Sequence, residues 1–169
     1  MNKFSKKEPF VILLVGAPLS GKTTWCYNNV YGASIISRDD ILLEMYGGSD
    51  YSFAYKNADH KLVDSIFEER IINCVKNRDN VIIDMTNLSS RRRKYNLSFF
   101  DSSYYKVSVT FPILKDEEYI YRNNTRKKEN NKDISLGVIK SMLKNIHHLI
   151  RKKDLICVFM FEKKQTSLN

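Results

Sequence analysis

An α/β sandwich with a parallel sheet at its centre is the fold class this sequence predicts, and three observations lead to it. Short apolar runs that read as buried strands alternate with longer segments of helical period along the whole length. The first such run, Phe10 to Val15, passes straight into Gly16-Ala17-Pro18-Leu19-Ser20-Gly21-Lys22-Thr23, which fits G-x-x-x-x-G-K-[ST] at every required position. The 169 residues suit one domain that buries a core of its own.

Composition narrows the classes. The formal charge is +9, so the chain attracts polyanions, and nucleic acid is the first partner to consider; a merely soluble, lysine-rich surface is the plainer alternative. Cys26, Cys74 and Cys157 are scattered without C-x-x-C spacing, which argues against a disulfide framework and a zinc site and makes a reducing cytosol the expected compartment. Basic Lys3, Lys6 and Lys7 ahead of an apolar run imitate a secretory signal. That run lacks a cleavage site, enters the glycine-rich loop directly and is too short to span a bilayer, so no membrane partner is expected.

Taken in order, residues 1–9 are a polar arm, Phe10 to Val15 the first strand, and a helix begins near Lys22. The intervening loop has the chemistry of a phosphate cradle. Glycines at both ends let backbone N–H groups wrap toward phosphate oxygens, and the helix adds the positive end of its dipole. Tyr31-Gly32 stops that helix, Ala33 to Ser37 is a short strand, and Ile41 to Met45 starts a helix that Gly47-Gly48 breaks. Tyr51 to Tyr55 is ambiguous between a loop and a helical turn. From about Asn57 to Lys76, Leu62, Val63, Ile66, Ile71, Ile72 and Val75 recur at helical period and predict a face laid on the sheet.

Asn77 to Asn80 is a turn, Val81 to Asp84 a buried strand, and Ser89 to Phe100 an arginine-rich helix. Tyr104 to Phe111 is the next strand, Asp116 to about Lys127 a polar helix, Asn130 to Asp133 a loop suited to a mobile flap, Leu136 to Ile150 a helix, and Leu155 to Phe161 a last strand. In parallel α/β sheets ligands bind beyond the carboxyl ends of the strands, so the polar residues there are the candidate site.

Five groups stand out. Lys22 and Thr23 would serve the β- and γ-phosphates and Mg²⁺. Asp39 in Arg38-Asp39-Asp40 reads as a general base for an attacking hydroxyl or as a helix cap, and Asp40 as a cap. Asp84 has the form of a carboxylate that reaches the metal through Thr23 or water; holding the Thr86-Asn87 turn is the alternative. Arg122 and Arg126, at i and i+4 on one helix face, read as a lid over the triphosphate, or as a solvated basic face. Arg91-Arg92-Arg93-Lys94 oppose a helix dipole unless phosphates or acids answer them. His60, His147 and His148 show no metal-ligand pairing, and the aromatics read as core more than stacking platform.

Taken together, Gly-x-Pro-x-Ser-Gly-Lys-Thr-Thr-Trp, Arg-Asp-Asp, Val-Ile-Ile-Asp-Met-Thr-Asn-Leu with Arg92-Arg93, and Tyr-x-Arg-Asn-x-x-Arg resemble the kinase domain of phage-type polynucleotide 5′-hydroxyl kinases over about residues 10 to 150. The resemblance implies an adenylate-kinase-like P-loop NTPase fold with a helical lid at about 116–134, in a single kinase domain over 1–169. It implies transfer of the ATP γ-phosphate to a 5′-OH end of DNA or RNA. Gly16 to Gly21, with Lys22, Thr23 and Thr24, would bind the nucleotide together with Arg122 and Arg126. Thr23 and Asp84 would hold Mg²⁺. Asp39 would be the base, and Arg38, Asp39, Thr86, Asn87, Arg92 and Arg93 the acceptor contacts.

Two positions depart from the pattern. Leu42 stands where the family places an arginine on the phosphate beside the acceptor hydroxyl, so an acceptor must be held differently. Met85, with Asp84 one earlier, stands where the phage enzymes place their Asp before Thr-Asn. A phosphatase domain like that of the bifunctional phage enzymes is not expected. Two other readings remain: a P-loop kinase of a small or modified hydroxyl acceptor, which Leu42 favours, and a nucleotide-dependent switch module, which Asp39 disfavours.

Overall fold

In a computed structural model, which describes residues 8–29 and 32–151, four strands form one sheet. They are β1 (Phe10–Val15), β2 (Ser34–Ser37), β3 (Val81–Asp84) and β4 (Tyr105–Thr110), all parallel, in the order β2-β3-β1-β4. Val11 pairs with Val81 on one side and Lys106 on the other, and Ser37 lies opposite Asp84. Every residue of β3 is buried, which is why it reads as a continuous apolar run and not as an alternation.

Seven helices flank this sheet among the described residues: α1 (Lys22–Asn29), α2 (Arg38–Tyr46), α3 (Tyr51–Asn57), α4 (His60–Asn77), α5 (Ser90–Ser98), α6 (Asp116–Asn130) and α7 (Leu136–Arg151). On one side Val63, Phe67 and Ile71 of α4 and Ile41 and Leu42 of α2 pack against Val11, Leu13, Ile36 and Ile83. On the other, Cys26 of α1 meets Leu14, Ile82, Val109 and Phe111. A third cluster joins Tyr119 of α6 to Ile139 and Leu143 of α7, with Ala17 and Leu88, and so seats α6 beside the glycine-rich loop.

Local chemistry sets the helix starts, and it corrects the boundaries expected from periodicity. α2 begins at Arg38 because Ser37 is extended and its Oγ accepts the Asp40 N–H at 3.2 Å. Asp40 is therefore not the cap; it lies in the first turn, where its charge suits the dipole. The ambiguous aromatic stretch is helix α3, capped by Asp50, whose carboxylate accepts the Phe53 N–H at 2.9 Å. α3 crosses α2 so closely that a Cβ on Gly47 would stand 2.4 Å from that of Ala54.

α4 starts three residues later than expected, at His60, because Asp59 caps it through the N–H groups of Lys61 and Leu62. Its buried stripe is Val63, Phe67 and Ile71, at i, i+4 and i+8, which leaves Leu62 and Ile72 on the flanks and exposed. Several aromatics are also more open than core residues, among them Tyr27, Phe53, Tyr55 and Tyr121. The last strand expected, Leu155 to Phe161, lies outside the described residues, as do Cys157 and the side chains of His147 and His148. No helix among the described residues is long and apolar enough to cross a membrane.

Candidate active site

The glycine-rich loop leaves β1 at its carboxyl end, and its backbone explains its residues. Gly21 has φ +95°, a conformation open to glycine, while Leu19 adopts φ 67° at a cost of about 1–2 kcal/mol. Lys22 is buried, and its ammonium donates to the Gly16 and Ala17 carbonyls at 3.0 and 2.6 Å. Burial pushes its pKa down to about 8, while Asp84 and then Asp39 oppose the fall. The Thr23 hydroxyl donates to Asp84 Oδ2 at 2.7 Å, joining the start of α1 to the end of β3. Burial raises the Asp84 carboxyl above its ordinary range, against the Thr23 hydrogen bond and Lys22.

Asp39 stands in the first turn of α2, and two groups hold it. The Tyr51 hydroxyl donates to Oδ1 at 2.9 Å, and the Lys132 ammonium donates to Oδ2. Burial opposes ionisation of Asp39, but Lys132 and the Tyr51 hydrogen bond outweigh it and hold the carboxyl below the usual range. Lys132 is itself buried, with its ammonium 3.9 Å from the centre of the Tyr51 ring. Asp40 has the opposite shift, upward, from burial and then from the Asp84 charge.

From α6, Arg122 donates to Glu118 Oε1 through Nε and to the Leu19 carbonyl through Nη1, both at 2.8 Å. Arg126 faces the same space, with Nε and Nη2 buried and without a hydrogen-bond partner. Between the phosphate loop, the start of α2, α3 and α6 lies a cleft of about 1430 Å³, lined among others by Lys22, Thr23, Asp39, Asp84, Arg126 and Lys132.

The expected flap is fastened. Ser52 Oγ donates to the Asn131 carbonyl at 2.5 Å, and Asn131 Nδ2 reaches the Asp50 carboxylate at 3.2 and 3.3 Å. These bonds, with the Lys132–Asp39 ion pair, sew the α6–α7 loop to the rim that carries Asp39. Lys132 and Tyr51 escaped the sequence reading: neither lies in a motif, and a lysine in an Asn-rich turn carries no signal of burial. The run Tyr51 to Tyr55 had only its aromatic content to mark it.

Of the residues expected here, Pro18 to Thr24, Asp39, Asp84, Thr86, Arg122 and Arg126 converge on the cleft, whereas Gly16 and Ala17 lie outside its lining, their carbonyls taken by Lys22. Others do not. Arg38 turns away to Asp64, at 2.6 Å, and to His60 Nδ1, at 3.3 Å. Asn87 is 1% exposed at φ 47°; it donates to the Leu14 carbonyl at 2.9 Å and accepts from Asn96 at 2.8 Å, tying β3 to β1 and α5.

Arg93 is buried too, and donates to the Asn87 and Leu88 carbonyls at 3.0 Å each, so carbonyls answer its charge where phosphates were expected. Arg92 is exposed and outside the cleft lining. Leu42 is fully buried in the core cluster, since three residues beyond Asp39 the α2 surface faces the sheet.

The donor set fits a nucleotide triphosphate and a magnesium ion. Two buried, unpartnered guanidinium nitrogens require an anion, and the Thr23 hydroxyl with Asp84 offers hard oxygen ligands. No cluster of three or more His, Cys, Asp or Glu that could hold a metal by itself occurs among the described residues.

Comparison with known proteins agrees with this geometry. A solved chain from the Pnkp1/Rnl/Hen1 RNA repair complex is similar at 26% identity and a TM-score of 0.72, over 90% of this chain and 49% of that one. The present chain thus spans about half the length of that relative. Shikimate kinase from Acinetobacter baumannii matches at 14% identity and a TM-score of 0.56, over 92% of this chain and 85% of that one. A gluconokinase from Sinorhizobium meliloti 1021 matches at 10% identity and 0.52, over 94% and 86%. These last two likenesses speak to fold alone. No curated protein sequence matches the chain. The family model described as AAA domain matches residues 11–149, and the chain belongs to that family.

Proposed function

We propose that this protein transfers the γ-phosphate of ATP to the 5′-hydroxyl end of a polynucleotide. The observation that carries the reading is the position of Asp39, held by Tyr51 and Lys132 on the cleft wall that also carries Lys22, Thr23 and Arg126. A carboxylate there takes the proton of a hydroxyl that enters from the α2–α3 side. The likeness to a chain of an RNA repair complex and the +9 charge support a nucleic-acid acceptor.

In this reading each side chain has one task. Backbone N–H groups of Leu19 to Thr24 would cradle the phosphates, with Lys22 beside them. Thr23, with Asp84 behind it, would hold magnesium, which would supply positive charge beside the phosphates. Arg126 meets the charge that develops on that group, and Arg122 holds the loop in shape. Asp39 orients the acceptor hydroxyl and receives its proton.

One observation favours a second reading, phosphorylation of a small or modified hydroxyl acceptor. Leu42 is in the core, Arg38 is paired with Asp64, and Arg92 and Arg93 lie away from the cleft, so none of these stands ready for the phosphate that adjoins a 5′-hydroxyl.

The deciding experiment incubates the protein with labelled ATP and Mg²⁺ against 5′-OH oligonucleotides of DNA and RNA, nucleosides, and small hydroxy acids. Label in the oligonucleotides, with a KM that rises steeply with salt, is the expected result. Transfer to a nucleoside or hydroxy acid alone, with flat salt dependence, replaces the proposal by the second reading.

A further inference from the structure

Three cations and three carboxylates crowd one end of the cleft. Asp39 is faced by Asp40 of its own helix, Tyr51 of α3, Lys22 of α1, Asp84 of β3, Arg126 of α6 and Lys132 of the α6–α7 loop. Among these, Lys132 is placed unlike a structural lysine. Its ammonium is buried at the cleft wall, gives one N–H to Asp39 Oδ2 and lies on the Tyr51 ring, and it has three donors to give. Beside it, two nitrogens of Arg126 have no partner. The charges of the cluster balance in number, but its donors do not: the Arg126 nitrogens and the spare N–H groups of Lys132 lack acceptors at the place where a γ-phosphate would arrive. The seam of Ser52, Asp50 and Asn131 keeps Lys132 on the acceptor rim, within reach of both the base and the phosphate.

We infer that Lys132 is a catalytic cation shared between the base and the transferred phosphoryl group. Resting on the reading of Asp39 as the base, it occupies Oδ2 until ATP is seated. It then moves to a γ-phosphoryl oxygen and leaves Oδ2 free for the acceptor proton. The acceptor oxygen forms its bond to the γ-phosphorus while the bond from that phosphorus to the β–γ bridging oxygen breaks. The electron pair of that bond leaves with ADP, and the acceptor proton ends on Asp39. With Lys132 on Oδ2 the base is weak and covered; once it has moved, the same ammonium stabilises the charge being transferred.

The test compares Lys132→Met, Lys132→Arg and Asp39→Asn in the full chain, by steady-state kinetics against pH, with thermal melting as the check on folding. Lys132→Met should lower kcat by about 100-fold or more with KM for ATP changed little, because the contact forms as the phosphoryl group moves. The acid limb of its kcat/KM profile for ATP, which reports the free enzyme, should move to higher pH, since Asp39 has there lost its cation. Lys132→Arg should keep the wild-type limb and recover about a tenth of the rate or more.

A kcat for Lys132→Met within about threefold of wild type, or a fall with the limb unmoved, overturns the inference. Should Lys132→Met not fold, Lys132→Arg decides: a fall beyond about 100-fold, or a displaced limb, overturns it. Asp39→Asn separates the two layers. If it remains active, the base assignment fails and the role of Lys132 with it; if it is inactive while Lys132→Met turns over normally, the inference alone fails.

Discussion

Arg122 of the lid helix donates to the carbonyl of Leu19 at 2.8 Å, across a hundred residues of chain, and so fastens α6 to the left-handed residue of the phosphate loop. The two side chains one turn apart on α6 therefore have different work. Arg122→Ala should loosen the loop and raise KM for ATP by about fivefold, the worth of about one hydrogen bond, with a smaller change in kcat. Arg126→Ala should act on kcat, by about 100-fold, because its unpartnered nitrogens await the charge of the transition state. Initial-rate kinetics with varied ATP separate the two. Equal, small effects in both would make α6 a solvated basic helix.

The 2.7 Å hydrogen bond from Thr23 to Asp84 predicts a metal phenotype. Asp84→Asn should raise the Mg²⁺ needed for half-maximal rate by about tenfold, since a carboxylate behind the ion is lost. Magnesium titration at fixed ATP measures it; an unchanged curve confines Asp84 to a structural role.

Lys22 makes the nucleotide step sensitive to alkali. Burial lowers its pKa from 10.5 to about 8. Between these values the unfolded chain binds the proton that the folded chain releases. The group thus costs stability, fully below about pH 8, and the cost lifts as pH rises toward 10.5. ATP phosphates favour the charged ammonium, so ATP binding should take up a proton above about pH 8, and affinity should fall as pH rises. Calorimetry in two buffers of different ionisation enthalpy at about pH 9 reads this uptake directly. No uptake there would mean that Lys22 stays charged in the free protein.

The arginine row should divide by burial. Arg93→Ala removes a buried guanidinium that donates to two carbonyls and should cost about 2–3 kcal/mol, whereas Arg92→Ala should stay within about 0.5 kcal/mol. Thermal melting gives both. A stable Arg93→Ala protein with weakened acceptor binding would restore the row to the substrate.

Much of the fold was legible because it follows from short-range rules. The strand before the glycine loop, the buried Val81 to Asp84 run and the helical stripe of α4 are each written in local period. The loop, with Thr23 and Asp84, was legible because phosphate chemistry demands those types at that spacing. What escaped depends on contacts between distant segments. Ser37 and Asp40 both suit a cap, and the backbone turn at Ser37 decides between them. Arg93 and Arg92 are the same residue in sequence, and only the helix phase after the Ser89 cap sends one inward. Lys132 lies 93 residues from Asp39, and no local pattern announces their meeting.

The seam of Ser52, Asp50 and Asn131 has a kinetic consequence. The loop that carries it is continuous with α6, so under the proposed activity any withdrawal of α6 from the nucleotide would also pull the loop from the rim that carries Asp39. Release of both products would then share one opening step.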